Sequence, residues 1–186
     1  MAKKKNTPEE EVIVDVEQVY SKTEDFINEN QNIILGVIGG LIAVVVLVFA
    51  YNRVYLEPLE EEAHGQMFMA EAYFEKDSFN LALEGDGNYL GFLDIADEYS
   101  NTSAGNLAHY YAGICYLRSG QYEDAITELE SFDGAGEMLG AVALGAIGDA
   151  NMEMDDADEA LSYYEKAAKS SENNFSTPVY LQKAGF

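Results

Sequence analysis

The chain has 186 residues, with ten Lys and Arg against 34 Asp and Glu, a formal charge of −24 and a pI near 4.1. That charge excludes an ordinary basic nucleic-acid interface, because phosphate binding rests on Lys and Arg displacing counterions. An apolar share of 48% excludes a disordered acidic chain, and a lone cysteine, Cys115, with two histidines excludes an intrachain disulfide and leaves little material for a zinc site.

The chain opens with a helix signal: Thr7 as cap, Pro8 at the first helical position and Glu10 closing a capping box. Val12, Ile13, Val16, Val19, Tyr20, Thr23, Phe26 and Ile27 recur at three- and four-residue steps, while Glu11, Asp15, Glu17, Asp25 and Glu29 take the other face. Because Lys22 is the one base on that face, a partner helix or a neutral membrane interface suits it better than anionic lipid. A loosely ordered tail is the alternative. Residues 1–32 are thus expected to form an amphipathic arm.

From Ile33 to Tyr51 run 19 residues without a charge. As a helix they extend roughly 28 Å, close to the ~30 Å hydrocarbon core of a bilayer. A buried core helix would seldom lack every polar position, and a cleaved signal peptide is disfavoured by the 32 preceding residues and the absence of a small-residue cleavage site after the run. A signal anchor over 33–51 is expected. Lys3, Lys4, Lys5 and Lys22 precede it and Arg53 follows, which places the N-terminus in the cytoplasm and the C-terminal bulk across the membrane. Gly36 and Gly40 form a small-xxx-small pair that would permit close helix packing in lipid, although glycine is common in membrane helices.

Residues 52–186 carry 26 acids and six bases, with few prolines or β-branched clusters, and read as all-helical. They also repeat. The stretch 106–126 resembles a tetratricopeptide repeat: Gly113 and Ala125 stand 12 apart, with Tyr116, Gly120 and Tyr122 between them and Leu129 and Phe132 after. Small residues at 113 and 125 suit a close crossing of two helices, Tyr116, Tyr122 and Leu129 would fill the space around it, and Gly120 would allow the tight turn. Thirty-five residues on, Gly148 and Ala160 repeat the spacing, followed by Tyr164, Ala167 and Ala168; Asn151 and Asp155 depart from the usual Tyr and Gly. Upstream, Ala70 and Ala82 repeat it with Tyr73 and Phe79. That copy is interrupted at Gly85-Asp86-Gly87-Asn88, read as a turn, before Tyr89, Phe92, Leu93, Ala96 and Tyr99 resume an apolar stripe. Neither this loop nor Asp155–Glu159 has the spacing of a calcium-binding hand.

The expected class is therefore all-α, a single transmembrane helix followed by a tetratricopeptide-repeat α-solenoid. Its parts are a degenerate repeat with insertion over about 63–105, repeats over 106–140 and 141–177, and the start of a further helix over 178–186. A third start appears at Thr177-Pro178, with Gly185 continuing the repeat spacing 37 residues beyond Gly148, and the pattern stopping at Ala184-Gly185-Phe186 favours a fragment of a longer array over a terminal capping helix.

The succession of acidic arm, one span, a helix containing Glu60 to Phe74 and repeat hairpins resembles the membrane-anchored YfgM-like family, an ancillary component of the SecYEG translocon. Local text such as Phe79-Asn80-Leu81-Ala82-Leu83-Glu84-Gly85-Asp86-Gly87-Asn88-Tyr89, Gly91–Ile95 and Ala104–Ala108 resembles a Bacteroidetes-type branch. The resemblance implies a single-pass inner-membrane protein whose repeat domain is periplasmic. Its partners would be translocon subunits, a periplasmic chaperone and exported clients, with no cofactor, no metal, no small-molecule substrate and no nucleic acid. By analogy with the family's groove, Leu107, Tyr110, Ile114, Leu117 and Arg118 would face a partner in one repeat, and Val142, Asp149, Met152 and Glu153 in the next. Packing between helices is the competing role for several of these, Ile114 among them, and Arg118 could instead balance Glu123.

No pattern points to an enzyme. His64 and His109 lack a Ser, Cys or acid partner at nucleophilic spacing, Cys115 occupies a small apolar position of a helix, and no glycine-rich phosphate loop follows a strand.

Overall fold

A computed structural model of the chain describes residues 27–134, 138–170 and 176–185. The Thr7–Glu10 cap and the amphipathic stripe up to Phe26 lie outside these residues. The chain divides into two units, Met1–Ala50 and Tyr51–Phe186.

Helix α1, Gln31–Tyr51, lies in the first unit up to Ala50, and no residue in it is buried. Leu, Ile, Val and Phe side chains are exposed around its whole circumference, Leu41, Val45, Leu47 and Phe49 among them. A helix apolar on every side is at rest in hydrocarbon, where its backbone bonds are satisfied internally and its side chains need no protein partner. It is the one helix among the described residues long and apolar enough to cross a membrane. Space is open where a Cβ would sit on Gly36 and Gly40.

The second unit is helical, with no strand among the described residues. After a π-helical turn, Asn52–Leu56, in which Arg53 pairs with Glu57, come α2 (Glu57–Phe74), α3 (Phe79–Glu84), α4 (Phe92–Glu98) and α5 (Ser103–Arg118). Then follow α6 (Tyr122–Ser131), α7 (Met138–Glu153), α8 (Ala157–Ser170) and α9 (Ser176–Lys183). α2/α3, α5/α6 and α7/α8 are helix hairpins; α4 is inserted after the first, and α9 packs on α8 and α7.

The 12-residue spacing of small residues is the structural signature of these hairpins. Ala70, Ala82, Ala125 and Ala160 are fully buried. A Cβ on Gly113 would strike Leu129 and the Ala125 carbonyl of α6, and one on Gly148 would strike the Tyr164 ring of α8. Only hydrogen fits at those crossings. Seven residues after each first small residue the chain turns in the left-handed region: Asp77 at φ 56°, Gly120 at 76° and Asp155 at 61°. In each turn the next amide donates back five residues, Ser78 to Tyr73, Gln121 to Tyr116 and Asp156 to Asn151, at 2.9 Å in all three. This pairing satisfies the last carbonyls of one helix while aiming the chain into the next. Asp replaces Gly in two of the turns because a short polar side chain tolerates the left-handed region, so the departure at Asp155 leaves the turn intact. Asn151, the other departure, is buried and donates to the Ile147 carbonyl at 2.9 Å, which satisfies its amide within its own helix.

Gly120 has room for a side chain, its nearest neighbour being the Tyr122 hydroxyl at 3.9 Å from a built Cβ, so an alanine there would suffer from backbone strain alone. Gly120→Ala is expected to lower stability by about 1–2 kcal/mol. Gly65→Ala, on an open stretch of α2, is expected to raise it by about 0.5–1 kcal/mol. Urea titration followed by circular dichroism checks both.

Three expectations change. The side chain nearest the Gly113 crossing is Leu129, not Tyr116 or Tyr122: Tyr116 packs on the first core, the buried cluster of α2 to α5 around Phe92, and Tyr122 faces α7. Gly185 is no helix-contact glycine, because α9 stops at Lys183 and Gly185 takes φ 88° in the turn beyond it. Tyr89 leaves the stripe, exposed outside α4, since that helix begins only after Gly91.

The insertion is held by polar contacts. Gly85 at φ 75° ends α3. The Asp86 carboxylate then accepts from the Asn88 and Tyr89 amides at 2.9 Å and from the Tyr73 hydroxyl at 2.8 Å. Those donors, the Asn88 amide foremost, hold the carboxyl below its usual range. The start of α5 is tied to α2 by Glu60, which accepts from the Ser103 and Ala104 amides at 2.8 and 3.1 Å, a favourable place for a negative charge. Thr102 caps the same helix through the Gly105 amide at 2.9 Å. One face of α5 then buries Ala104, Ala108, Ala112 and Cys115 with Phe92 and Ile95 of α4 and Met67 of α2. Its opposite face lays Tyr110, Ile114 and Leu117 on Leu129 of α6 and Ile147 of α7.

Candidate functional site

The α5/α6 turn brings Leu117, at the end of one helix, beside Tyr122, at the start of the next. Against them stands the last turn of α7, where Asp149, Met152 and Glu153 share a face at three- and four-residue steps. These five residues line an open cleft of about 280 Å³. Leu117 and Tyr122 are half-buried; Met152 and Glu153 are exposed. The Tyr122 hydroxyl lies 3.4 Å from Glu153 Oε2, a long hydrogen bond across the cleft.

Asp149 is the most connected group. Its Oδ1 accepts from the Tyr164 hydroxyl of α8 at 2.7 Å, and Lys183 Nζ of α9 donates to both carboxylate oxygens at 2.6 and 2.7 Å. Lys183 Nζ also lies 5.5 Å from the Tyr164 ring centroid. Burial, with the Asp149 carboxylate beside it, pushes the Tyr164 hydroxyl far above its ordinary ionisation range. The cleft thus sets two carboxylates beside aliphatic, thioether and aromatic carbon.

Four of the nine residues expected to face a partner, Leu117, Asp149, Met152 and Glu153, come together here. The others do not line the cleft. Leu107 is half-buried against the first core. Tyr110 and Ile114 pack on the Leu129–Ile147 cluster, and the Tyr110 ring lies 5.5 Å from Phe132 and 5.6 Å from Tyr111. Val142 is half-buried in α7. Arg118 is exposed and forms no ion pair among the described residues, with Glu123 or otherwise. Tyr122, Tyr164 and Lys183 were not expected at the site. Position 122 reads in sequence as a crossing filler, and the 34-residue step from Asp149 to Lys183 becomes a contact only when α9 stacks on the α7/α8 hairpin.

His109 Nδ1 lies 2.7 Å from Glu128 Oε2, bridging α5 to α6, and His64 Nε2 lies 3.2 Å from Glu60 Oε1. Among the described residues no three His, Cys, Asp or Glu side chains gather as a metal site. Cys115 is fully buried, and desolvation pushes its thiol up from 9.0 to about 12. Only about one thiol in a thousand would be ionised at pH 9, and the thiolate is the reactive form. Maleimide is expected to leave Cys115 unmodified in native protein at pH 8 and to label it fully in urea. The raised thiol, with tyrosines such as Tyr163 pushed up to about 12 by the Glu130 hydrogen bond, stabilises the fold fully below the unfolded-state values near 9 to 10. That stability is lost as pH rises towards 12.

The sequence matches no known family model and no curated protein.

Proposed function

We propose that the chain is a membrane-anchored adaptor. Its second unit would be a tetratricopeptide-type solenoid, and its α5–α7 cleft would be part of the surface that receives protein partners. The carrying observation is the recurrence of one hairpin geometry, with small residues 12 apart and a left-handed turn seven residues on, in three successive hairpins. A stack of identical hairpins aligns the first helix of each on one side, which is how a continuous binding groove arises. The exposed, charge-free α1 supports anchoring by a single span. The Lys bias before the span supports a cytoplasmic N-terminus and a repeat domain in the periplasm of a bacterial envelope.

In that setting, with the YfgM-like resemblance, the partners are translocon subunits, a periplasmic chaperone or exported chains, and the protein accompanies secretion rather than catalysing a reaction. A reporter enzyme fused after Phe186 and active only in the periplasm is expected to be active. Purification of the full chain in mild detergent is then expected to recover translocon or chaperone components. Recovery of outer-membrane assembly factors alone would replace the adaptor with an envelope scaffold. A silent reporter would place the repeats in the cytosol and overturn both.

A further inference from the structure

Resting on the adaptor reading, we infer that the α5–α7 cleft takes a cationic side chain on an apolar peptide segment, and that Lys183 of α9 competes in cis for the same carboxylate. Asp149 and Glu153 stand one helical turn apart on one face of α7 and both line the cleft. Leu117, Tyr122 and Met152 supply the carbon against which an aliphatic stem can lie, and Met152 is half exposed, at 50%. The volume of about 280 Å³ suits one or two long side chains.

A cation from outside the cleft lining already holds one of these carboxylates. Lys183 reaches from α9 to place its ammonium on both oxygens of Asp149, while the Tyr164 hydroxyl takes a further lone pair. Lys183 and Asp149 are each about 40% exposed, so their pair is open to exchange with an incoming base. Among the described residues Glu153 has only the long contact from Tyr122 and is open to a second base. The surrounding segment, with 26 acids and six bases, attracts cationic chains and repels acidic ones.

The test uses the full chain in detergent micelles and a fluorescein-labelled decapeptide of alternating leucine and arginine, read by anisotropy. Matched peptides carry citrulline or glutamate in place of arginine. Lys183→Gln is expected to tighten binding of the arginine peptide about three- to fivefold, the range of an exposed ion pair relieved of its partner. Lys183→Arg, which keeps the pair, should bind as the parent does. Asp149→Asn, which can still accept from Tyr164, should weaken binding about fivefold or more and abolish the effect of Lys183→Gln. Glu153→Gln should weaken it without touching α9, which keeps the test valid if Lys183→Gln loosens that helix.

Equal binding of the arginine and citrulline peptides, or no tightening by Lys183→Gln in a protein of unchanged helicity, would overturn the inference. If either result accompanies photo-cross-links from Met152 to envelope proteins, the adaptor reading stands and the cationic specificity alone falls. If no peptide binds and Met152 yields no cross-link to another protein, both fall.

Discussion

Phe92→Ala is expected to cost about 3–5 kcal/mol, the range for truncating a fully buried aromatic. Phe92 is 0% exposed in the first core. Its ring stacks on Tyr111 with centroids 5.0 Å apart and 9° between planes, and Phe74 meets it edge-on at 6.4 Å. The three rings come from three helices: α2 gives Phe74, α4 gives Phe92 and α5 gives Tyr111. Loss of the Phe92 ring leaves a cavity that the short α4 cannot fill by shifting, because Gly91 and Gly105 bring its two ends against backbone. A Cβ at 91 would strike the Leu83 carbonyl, and one at 105 the Tyr99 carbonyl. Tyr89→Ala, three residues away and exposed, should change stability by less than about 0.5 kcal/mol. Denaturant titration of the full chain in micelles, read by helix signal at 222 nm, separates the two. A loss below about 1.5 kcal/mol for Phe92→Ala would mean that the inserted helix does not hold the first hairpin to the second.

The second large effect concerns α1. Replacing both Ile42 and Val45 by arginine puts two charges near the middle of the charge-free run. On the insertion scale each exchange shifts the balance by about 3–4 kcal/mol, so the pair offsets the whole favourable contribution of the apolar residues. The variant is expected to leave the membrane fraction on carbonate extraction, whereas an Ile42→Leu and Val45→Leu control stays. Retention of the doubly charged variant would mean that α1 does not span.

Much of this fold is legible in the sequence, for identifiable reasons. The long apolar helix announces itself by the absence of charge over Ile33–Tyr51, which no packing detail modifies. Hairpins announce themselves because a close helix crossing accepts only the smallest residues, so Ala70/Ala82, Gly113/Ala125 and Gly148/Ala160 stand out at one spacing. The turns are half legible. Gly120 is the expected left-handed residue, but Asp77 and Asp155 occupy the same conformation, and aspartate is common elsewhere in so acidic a chain. The site is legible only in part because the repeat pattern tells which side of a helix a residue occupies and not what stacks upon it. Tyr110 shares that side with Leu117, yet Phe132 covers it while Leu117 opens on the cleft. Lys183 was invisible because its partner lies on another helix, 34 residues earlier. Gly185 misled for a related reason: a glycine continues a spacing equally well inside a helix or just beyond its end, and here φ 88° places it beyond.

The central claim, that the cleft between α5, α6 and α7 receives partner proteins, is met most directly by a photo-cross-linking residue at Met152 of the full chain in intact membranes. Met152 is half exposed and lines the cleft, whereas Tyr110 is held among Tyr111 and Phe132. Irradiation followed by mass spectrometry is expected to give adducts to translocon subunits, a periplasmic chaperone or exported chains, and to lose them in the Asp149→Asn, Glu153→Gln double variant. Adducts confined to the chain's own helices, or adducts unchanged by the double variant, would contradict it.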